Sequence, residues 1–216
     1  MHFLNSAPAR LLSLAALLVL VLPARAATVS YFLDLANELP GGVNYLRVTI
    51  SDSTTVPGDI DFRVALLPDA FPPPGGNFGM DRFLFNHASA VSVSSSNVTG
   101  LNSGWRVIEN SNAGGGFDRY ALQLKGSGSS RTGLLAFSIT GVDGDSPASY
   151  ATPAYGLHNG ATEFFAAHIG GFDNHPYGAS STWVAGSAPV PVPAAVWLFA
   201  SGLLSMLALV RHHNHS

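Results

Sequence analysis

Apolar and polar side chains alternate along the middle of this chain in short runs, which are separated by Gly- and Pro-rich segments. In the run 60–67, Ile60, Phe62, Val64 and Leu66 occupy every second position. A period of two is typical of a β-strand with one buried face, and no stretch of the middle has helical spacing. The pattern predicts strands at 29–35, 43–50, 60–67, 82–85, 105–108, 119–125, 134–139, 163–169 and 182–184.

Turn-forming segments separate these runs, for example Pro-Pro-Pro-Gly-Gly at 72–76. Eight or nine short strands of this kind predict an all-β domain. We expect an antiparallel β-sandwich with jelly-roll-like or immunoglobulin-like packing. The domain is assigned to residues 27–188, a length that can bury a sizeable core as one unit.

The first 26 residues have the layout of a secretory signal peptide. Arg10 precedes an apolar run at 11–22, and Pro23 is followed by Ala24-Arg25-Ala26. A helix over that run is about 18 Å long, which is short of the roughly 30 Å hydrocarbon core of a membrane. We therefore expect cleavage after Ala26 rather than a permanent anchor at this end.

A second apolar segment lies near the C-terminus, at residues 194–210, and contains no charged side chain. Its length is at the lower end of what spans a bilayer as a helix. Trp197 is placed to lie at one membrane interface, and Arg211 follows the segment at the other. The pattern predicts a single transmembrane helix in the precursor, with a buried core helix as the alternative.

The C-terminal segment resembles the PEP-CTERM sorting signal, most closely its variant V-P-L-P-A-A-x-W-L-F-x-S-G-L-L. The resemblance is limited to residues 189–216, and Val192 stands where Leu is usual. It implies a Gram-negative exported protein that is processed by an exosortase at the inner membrane. Such proteins are typically released to, or attached at, the cell surface and linked to extracellular polysaccharide. The residues that match the motif are Val190, Pro191, Pro193, Ala194, Trp197 and Arg211.

The prolines of this motif also have a direct physical meaning. Pro189, Pro191 and Pro193 alternate just before the apolar segment. Because proline fixes φ and favours an extended chain, we expect a tether outside the membrane that an enzyme in the bilayer can reach.

Composition and charge exclude several classes of protein. The chain has no cysteine, which excludes disulfides, a cysteine nucleophile and cysteine-ligated metals. All 13 acidic residues but only seven Lys and Arg residues lie in 27–188, so the domain has a formal net charge of −6. Without a basic cluster in the sequence, nucleic-acid binding is not expected. Nucleotide-binding motifs and the G-x-S-x-G nucleophile motif are absent from the sequence.

Two polar groupings are candidates for metal binding. Imidazole and carboxylate side chains near the end of the domain have ligand chemistry for a transition metal, although turn and strand-end residues give the same pattern. These residues are His158, Glu163, His168, Asp173 and His175. Asp143 and Asp145 flank a glycine, and with Asp59, Asp61, Asp52 or Asp69 they offer oxygen ligands for calcium. Asx turns explain the same residues without an ion.

Aromatic side chains are a third candidate, because exposed rings on a sandwich can stack against sugars. Core packing is the alternative for the tryptophans. The rings concerned are Trp105, Trp183, Tyr150, Tyr155 and Tyr177.

These observations favour an exported cell-surface or matrix protein with a non-catalytic structural or interaction role. The expected partners are an exosortase, the secretion machinery, the inner membrane transiently, and extracellular polysaccharide. No cofactor is expected, although calcium stays open. A carbohydrate- or calcium-binding module is the first alternative, and a secreted hydrolase is the second.

Overall fold

The structure is a computed structural model that describes residues 27–158, 161–173, 178–186 and 189–190. The predicted signal peptide (1–26) and the predicted transmembrane segment (194–210) lie outside these residues. Within the described part of the chain, no helix is long and apolar enough to cross a membrane.

The strands are β1 (Thr28–Leu33), β2 (Leu35–Ala36), β3 (Leu46–Asp52), β4 (Ile60–Leu66), β5 (Pro74–Phe85), β6 (Val98–Thr99), β7 (Arg106–Asn112), β8 (Arg119–Lys125), β9 (Leu134–Ile139), β10 (Leu157–His158), β11 (Ala161–Thr162), β12 (Phe165–Phe172), β13 (Ser181–Ala185) and β14 (Pro189–Val190).

The strands form two six-stranded sheets and one two-stranded ribbon. Sheet A has the order β14-β1-β3-β4-β9-β6, sheet B has the order β2-β13-β12-β5-β8-β7, and β10 pairs with β11. Every pairing is antiparallel. The predictions of an all-β domain and of antiparallel pairing are confirmed for the described residues.

Aromatic side chains from both sheets meet in one core. The rings of Phe62 on β4 and Phe85 on β5 have centroids 5.1 Å apart, and those of Tyr31 and Phe165 are 4.9 Å apart. Phe62 also stacks on Phe137 of the neighbouring strand at 4.6 Å. The inner faces of the sheets therefore pack against each other, and each buried ring contributes about 1.5–3 kcal/mol through removal from water.

Strand positions follow the hydrophobic alternation where one face is buried. The predicted bounds of β8 and β9 match the structure, and β4 differs by one residue. The predicted turn at 72–76 is wrong in part, because β5 already begins at Pro74. Gly75 allows this early start: a Cβ there would overlap the Asp173 carboxylate and the Gly171 carbonyl oxygen, so only glycine fits between the two strands.

A second, smaller apolar cluster lies on the outward face of sheet B. Leu84 on β5 and Ala166 on β12 point away from the main core and are nevertheless fully buried. Phe117 and Ala154, from the segments that cross this face, pack over them. Sheet B is therefore buried on both sides at one end, whereas its other end bears charged side chains.

Candidate functional site

A group of charged side chains with two ion pairs lies on the outward face of sheet B. Its centre is Asp81, which is only 7% exposed. Its Oδ1 accepts a hydrogen bond from Nδ1 of His168 at 2.7 Å, and its Oδ2 accepts one from Nε of Arg131 at 3.0 Å. Both carboxylate oxygens of Asp81 are thus used by cationic or ionisable partners.

A β-bulge places Asp81 in this position. His168 pairs with Arg82 and Ile169 pairs with Met80, so Asp81 is an extra residue in β5. Met80 and Phe83 both enter the main core, and Asp81 and Arg82 between them both face outward. Bulges break the strict alternation of a strand and re-aim side chains in this way.

Arg131 reaches Asp81 because its own segment pairs with β5. The backbone of Thr132 exchanges two hydrogen bonds with Met80, at 2.9 and 3.0 Å. The guanidinium group then lies over Gly170, where a Cβ would be only 2.5 Å from Nη2. Gly170 therefore leaves this space open for the guanidinium group of Arg131.

The electrostatics keep Asp81 ionised. Burial alone would raise the pKa of this carboxyl group, but the hydrogen bond and charge of His168, together with those of Arg131, outweigh burial and lower the pKa below its usual range. An Asp–His contact of this kind can orient a histidine base. Among the described residues, no hydroxyl group is hydrogen-bonded to His168, so the structure supplies the orienting carboxylate without a nucleophile beside it.

Trp183 and Arg82 lie beside His168. The rings of His168 and Trp183 have centroids 5.1 Å apart, and the guanidinium carbon of Arg82 is 5.6 Å from the Trp183 ring centroid. Trp183 is only 8% exposed, since Gly114 lies directly on its ring and Gly115 lies against its Cβ. Its core interpretation is thus confirmed, and the ring is not a free stacking platform.

The predicted transition-metal residues do not come together around one point in the described structure. Glu163 is fully buried and accepts a hydrogen bond from the Tyr120 hydroxyl at 3.3 Å. Asp173 is exposed at the end of β12, beyond the second register shift of that strand. His175 and the side chain of His158 lie outside the described residues. No group of three or more potential ligands is present in the part of the chain that the structure describes.

Three acidic residues of the calcium hypothesis line the same depression, although no group of three potential ligands close enough to hold a metal is found among the described residues. Asp59, Asp143 and Asp145 line one open depression of about 310 Å³. Asp145 accepts a hydrogen bond from the Tyr150 hydroxyl at 2.5 Å, and burial together with this carboxylate raises the pKa of Tyr150. Asp61 accepts a hydrogen bond from Ser138 at 2.7 Å instead. Asp52 and Asp69 do not line the depression.

The remaining aromatic candidates differ in how far their side chains are buried. Trp105 is buried and donates its Nε1 hydrogen bond to the Ser130 carbonyl at 2.9 Å, and Tyr150 is fully buried. Tyr155 is 59% exposed, with the Arg119 guanidinium carbon 5.0 Å from its ring centroid. Tyr177 lies outside the described residues. Stacked exposed rings are therefore not found among the described candidates.

Of the residues that match the sorting motif, only Val190 is described. It lies in β14, where Val190 pairs with Ser30 and Pro189 pairs with Tyr31 at the edge of sheet A. The chain is extended at these two residues, which pair with β1 rather than lying free as a tether. Pro191, Pro193, Ala194, Trp197 and Arg211 lie outside the described residues.

Comparison with known proteins identified no matching family, no similar curated protein and no similar solved structure.

The sequence pattern identified His168 but missed Asp81, which is hydrogen-bonded to it, and Arg131, which is hydrogen-bonded to Asp81. Asp81 lay just before the predicted strand 82–85, and its outward position depends on the bulge. Arg131 is 50 residues from Asp81 in sequence and lay between the predicted strands 119–125 and 134–139. A usable signal was the Asp81-Arg82 pair between apolar residues, since two consecutive charged residues interrupt a period of two.

Proposed function

We propose that this chain is an exported cell-surface or matrix protein. In this proposal an exosortase processes its C-terminal segment, and its domain has a non-catalytic role in contact with extracellular polysaccharide. The observation that carries the proposal is the order of three segments: a signal-peptide layout at 1–26, a β domain, and a sorting-type motif at 190–211. The two face-to-face sheets of that domain form a β-sandwich in this account.

The position of Ala27 supports cleavage after Ala26. The backbone nitrogen of Ala27 is 2.6 Å from Oδ2 of Asp52, and the Ala27 carbonyl oxygen accepts a hydrogen bond from the Asp52 nitrogen at 3.1 Å. In a chain that begins at Ala27, this nitrogen is an α-ammonium group beside a carboxylate. Cleavage would then add an ion pair at the start of β1 without moving the strand.

The position of β14 supports an accessible tether. Pro189 and Val190 lie along β1 at the outer edge of sheet A. Pro191 and Pro193 follow at once in the sequence, and proline does not donate a backbone hydrogen bond to a neighbouring strand. The chain after Val190 is therefore suited to leave the sheet as an extended segment.

A secreted hydrolase is the second candidate, and one observation favours it. Asp81 holds Nδ1 of His168 at 2.7 Å, which is how a carboxylate orients a general base. The non-catalytic role is preferred because the other oxygen of Asp81 is bound to Arg131. The carboxylate therefore also fixes the position of a cationic side chain.

The test is processing of the sorting motif in a bacterium that has an exosortase. The double variant P191A/P193A should accumulate as full-length protein in the inner membrane, whereas wild-type protein should be shortened and leave it. The matched control P72A/P73A places the same two substitutions in a surface segment of the domain and should be processed like wild type. Wild-type processing of P191A/P193A would refute the sorting role of the motif.

A further inference from the structure

Four basic or ionisable side chains occupy one cross-strand row on the outward face of sheet B. Arg82 on β5 pairs with His168 on β12 and with Lys125 on β8, and Lys125 pairs with Arg106 on β7. Directly opposite residues of antiparallel strands share a face, and neighbouring strands are about 4.8 Å apart. This basic row (His168, Arg82, Lys125 and Arg106) therefore extends about 14 Å across four strands.

Apart from His168, the basic row has no carboxylate partner within the described structure. Asp81 binds His168 and Arg131, and Arg82 lies over the Trp183 ring. Among the described residues, no carboxylate forms an ion pair with Arg82, Lys125 or Arg106. Like charges directly opposite each other destabilise a sheet. The row thus concentrates three of the seven Lys and Arg residues of 27–188 at a cost to the fold, in a domain with net charge −6.

The surroundings of the row fix its shape. On one side, the apolar cluster around Leu84 and Phe117 covers the sheet. On the other side, Arg131 lies over Gly170 and is held by Asp81. The basic row thus lies between the apolar cluster and Arg131, and it crosses the strands rather than following them.

We propose that the basic row binds an extended anionic polysaccharide through the carboxylates of its sugar residues. Arginine presents a planar fork that matches a carboxylate, and lysine adds a point charge. Neutralisation by such a ligand relieves the repulsion between Lys125 and its two opposite arginines. This inference rests on the proposed function, because export is what brings the domain into contact with extracellular polysaccharide.

Nucleic acid is the competing ligand, and the structure disfavours it. Proteins that bind single strands combine a basic groove with exposed aromatic rings on which bases stack. The aromatic ring at the end of the row is Trp183, which is only 8% exposed and is covered by Gly114. A carboxylated sugar chain needs only the charges, which the row supplies.

The test measures binding of the full-length protein, purified in detergent, to polygalacturonate. The variant R106Q/K125Q should bind about tenfold more weakly, because two charge-assisted contacts are lost. The matched control R47Q/R63Q removes the same charge from exposed positions on the outward face of sheet A and should bind within about twofold of wild type. Thermal unfolding of both variants checks that the fold is retained.

Two further ligands complete the test. Fully methyl-esterified polygalacturonate has the same sugars without charge and should not bind. A single-stranded oligonucleotide of equal charge should bind more weakly than polygalacturonate. Equal loss in the two double variants, binding of the esterified polymer, or preference for the oligonucleotide would each overturn the proposal. Because binding is measured on purified protein, it can succeed even if the processing test of P191A/P193A fails, and the reverse also holds.

Discussion

The outward faces of the two sheets follow the same strand alternation but differ in what lies on them. On sheet A, short polar side chains face solvent and bond to each other, as Ser138 does to Asp61 at 2.7 Å. On sheet B, the outward face bears a buried apolar cluster at one end and the basic row with Asp81 at the other. The pairings of β1 with β3, β3 with β4 and β4 with β9 in sheet A have no register shift, whereas the outward face of sheet B coincides with a bulge and with glycine contacts at 114, 115 and 170.

The largest expected effect is a loss of stability when a covered outward side chain of sheet B is truncated, compared with an exposed outward side chain of sheet A. Leu84 on sheet B is fully buried, and Leu134 on sheet A is 36% exposed. L84A should destabilise the protein by about 2–5 kcal/mol, because it leaves a cavity beneath Phe117. L134A is the matched control and should cost less than about 1 kcal/mol. Chemical denaturation measures both, and equal losses would mean that the covering cluster does not stabilise sheet B.

The next largest loss of stability is expected when the charge of Asp81 is removed. D81N should destabilise the protein by about 1–3 kcal/mol, because Arg131 and His168 lose their shared charged partner in a largely buried position. D61N is the corresponding change on sheet A and should cost less than about 1 kcal/mol, since Asp61 is bound by a hydroxyl group at the surface. A smaller loss in D81N than in D61N would contradict the assignment of Asp81 as the centre of the polar cluster.

The stabilisation from Asp81 should depend on pH with a defined sign. The pKa of Asp81 is lowered in the folded protein: burial opposes the shift, and His168 and Arg131 outweigh it. A lowered folded pKa contributes stability above the ordinary carboxyl pKa of about 4 and loses it as the pH falls through the folded value. The difference in unfolding free energy between wild type and D81N should therefore be full at pH 6 and shrink below about pH 4. A difference that stays constant down to pH 2 would show that the charge of Asp81 is not the cause.

A smaller effect, of opposite sign, is expected in the basic row. K125Q removes the charge that lies opposite both Arg82 and Arg106, so it should stabilise the protein by up to about 1 kcal/mol at low salt. R63Q on sheet A faces Thr49 and Ala136 and should leave stability within about 0.5 kcal/mol of wild type. The gain in K125Q should fade at 1 M salt, where the screening length is about 3 Å. A loss of stability in K125Q would mean that Lys125 is paired rather than repelled.

The contrast between the sheets also explains how far the sequence could predict the molecule. Strands such as β4 and β9 were located well because one face enters the core and the other meets solvent, which imposes a clear period of two. β5 was predicted too short, since its bulge at Asp81 and its early start at Pro74 depend on pairing with β12. The Asp81–Arg131 contact joins residues 50 apart in sequence, and no local pattern specifies such a pair. The loops of Asp59 and Asp143 were named individually, but only the fold brings them to one depression.

The central claim is that the chain is exported and processed at both ends around its β domain. The most direct measurement is the intact mass of the protein recovered from the surface or medium of a bacterium with an exosortase. We predict a chain that begins at Ala27, retains the strands from Thr28 to Ala185, and lacks the apolar segment 194–210. A mature protein that still contains residues 1–26 or 194–210 would contradict the account.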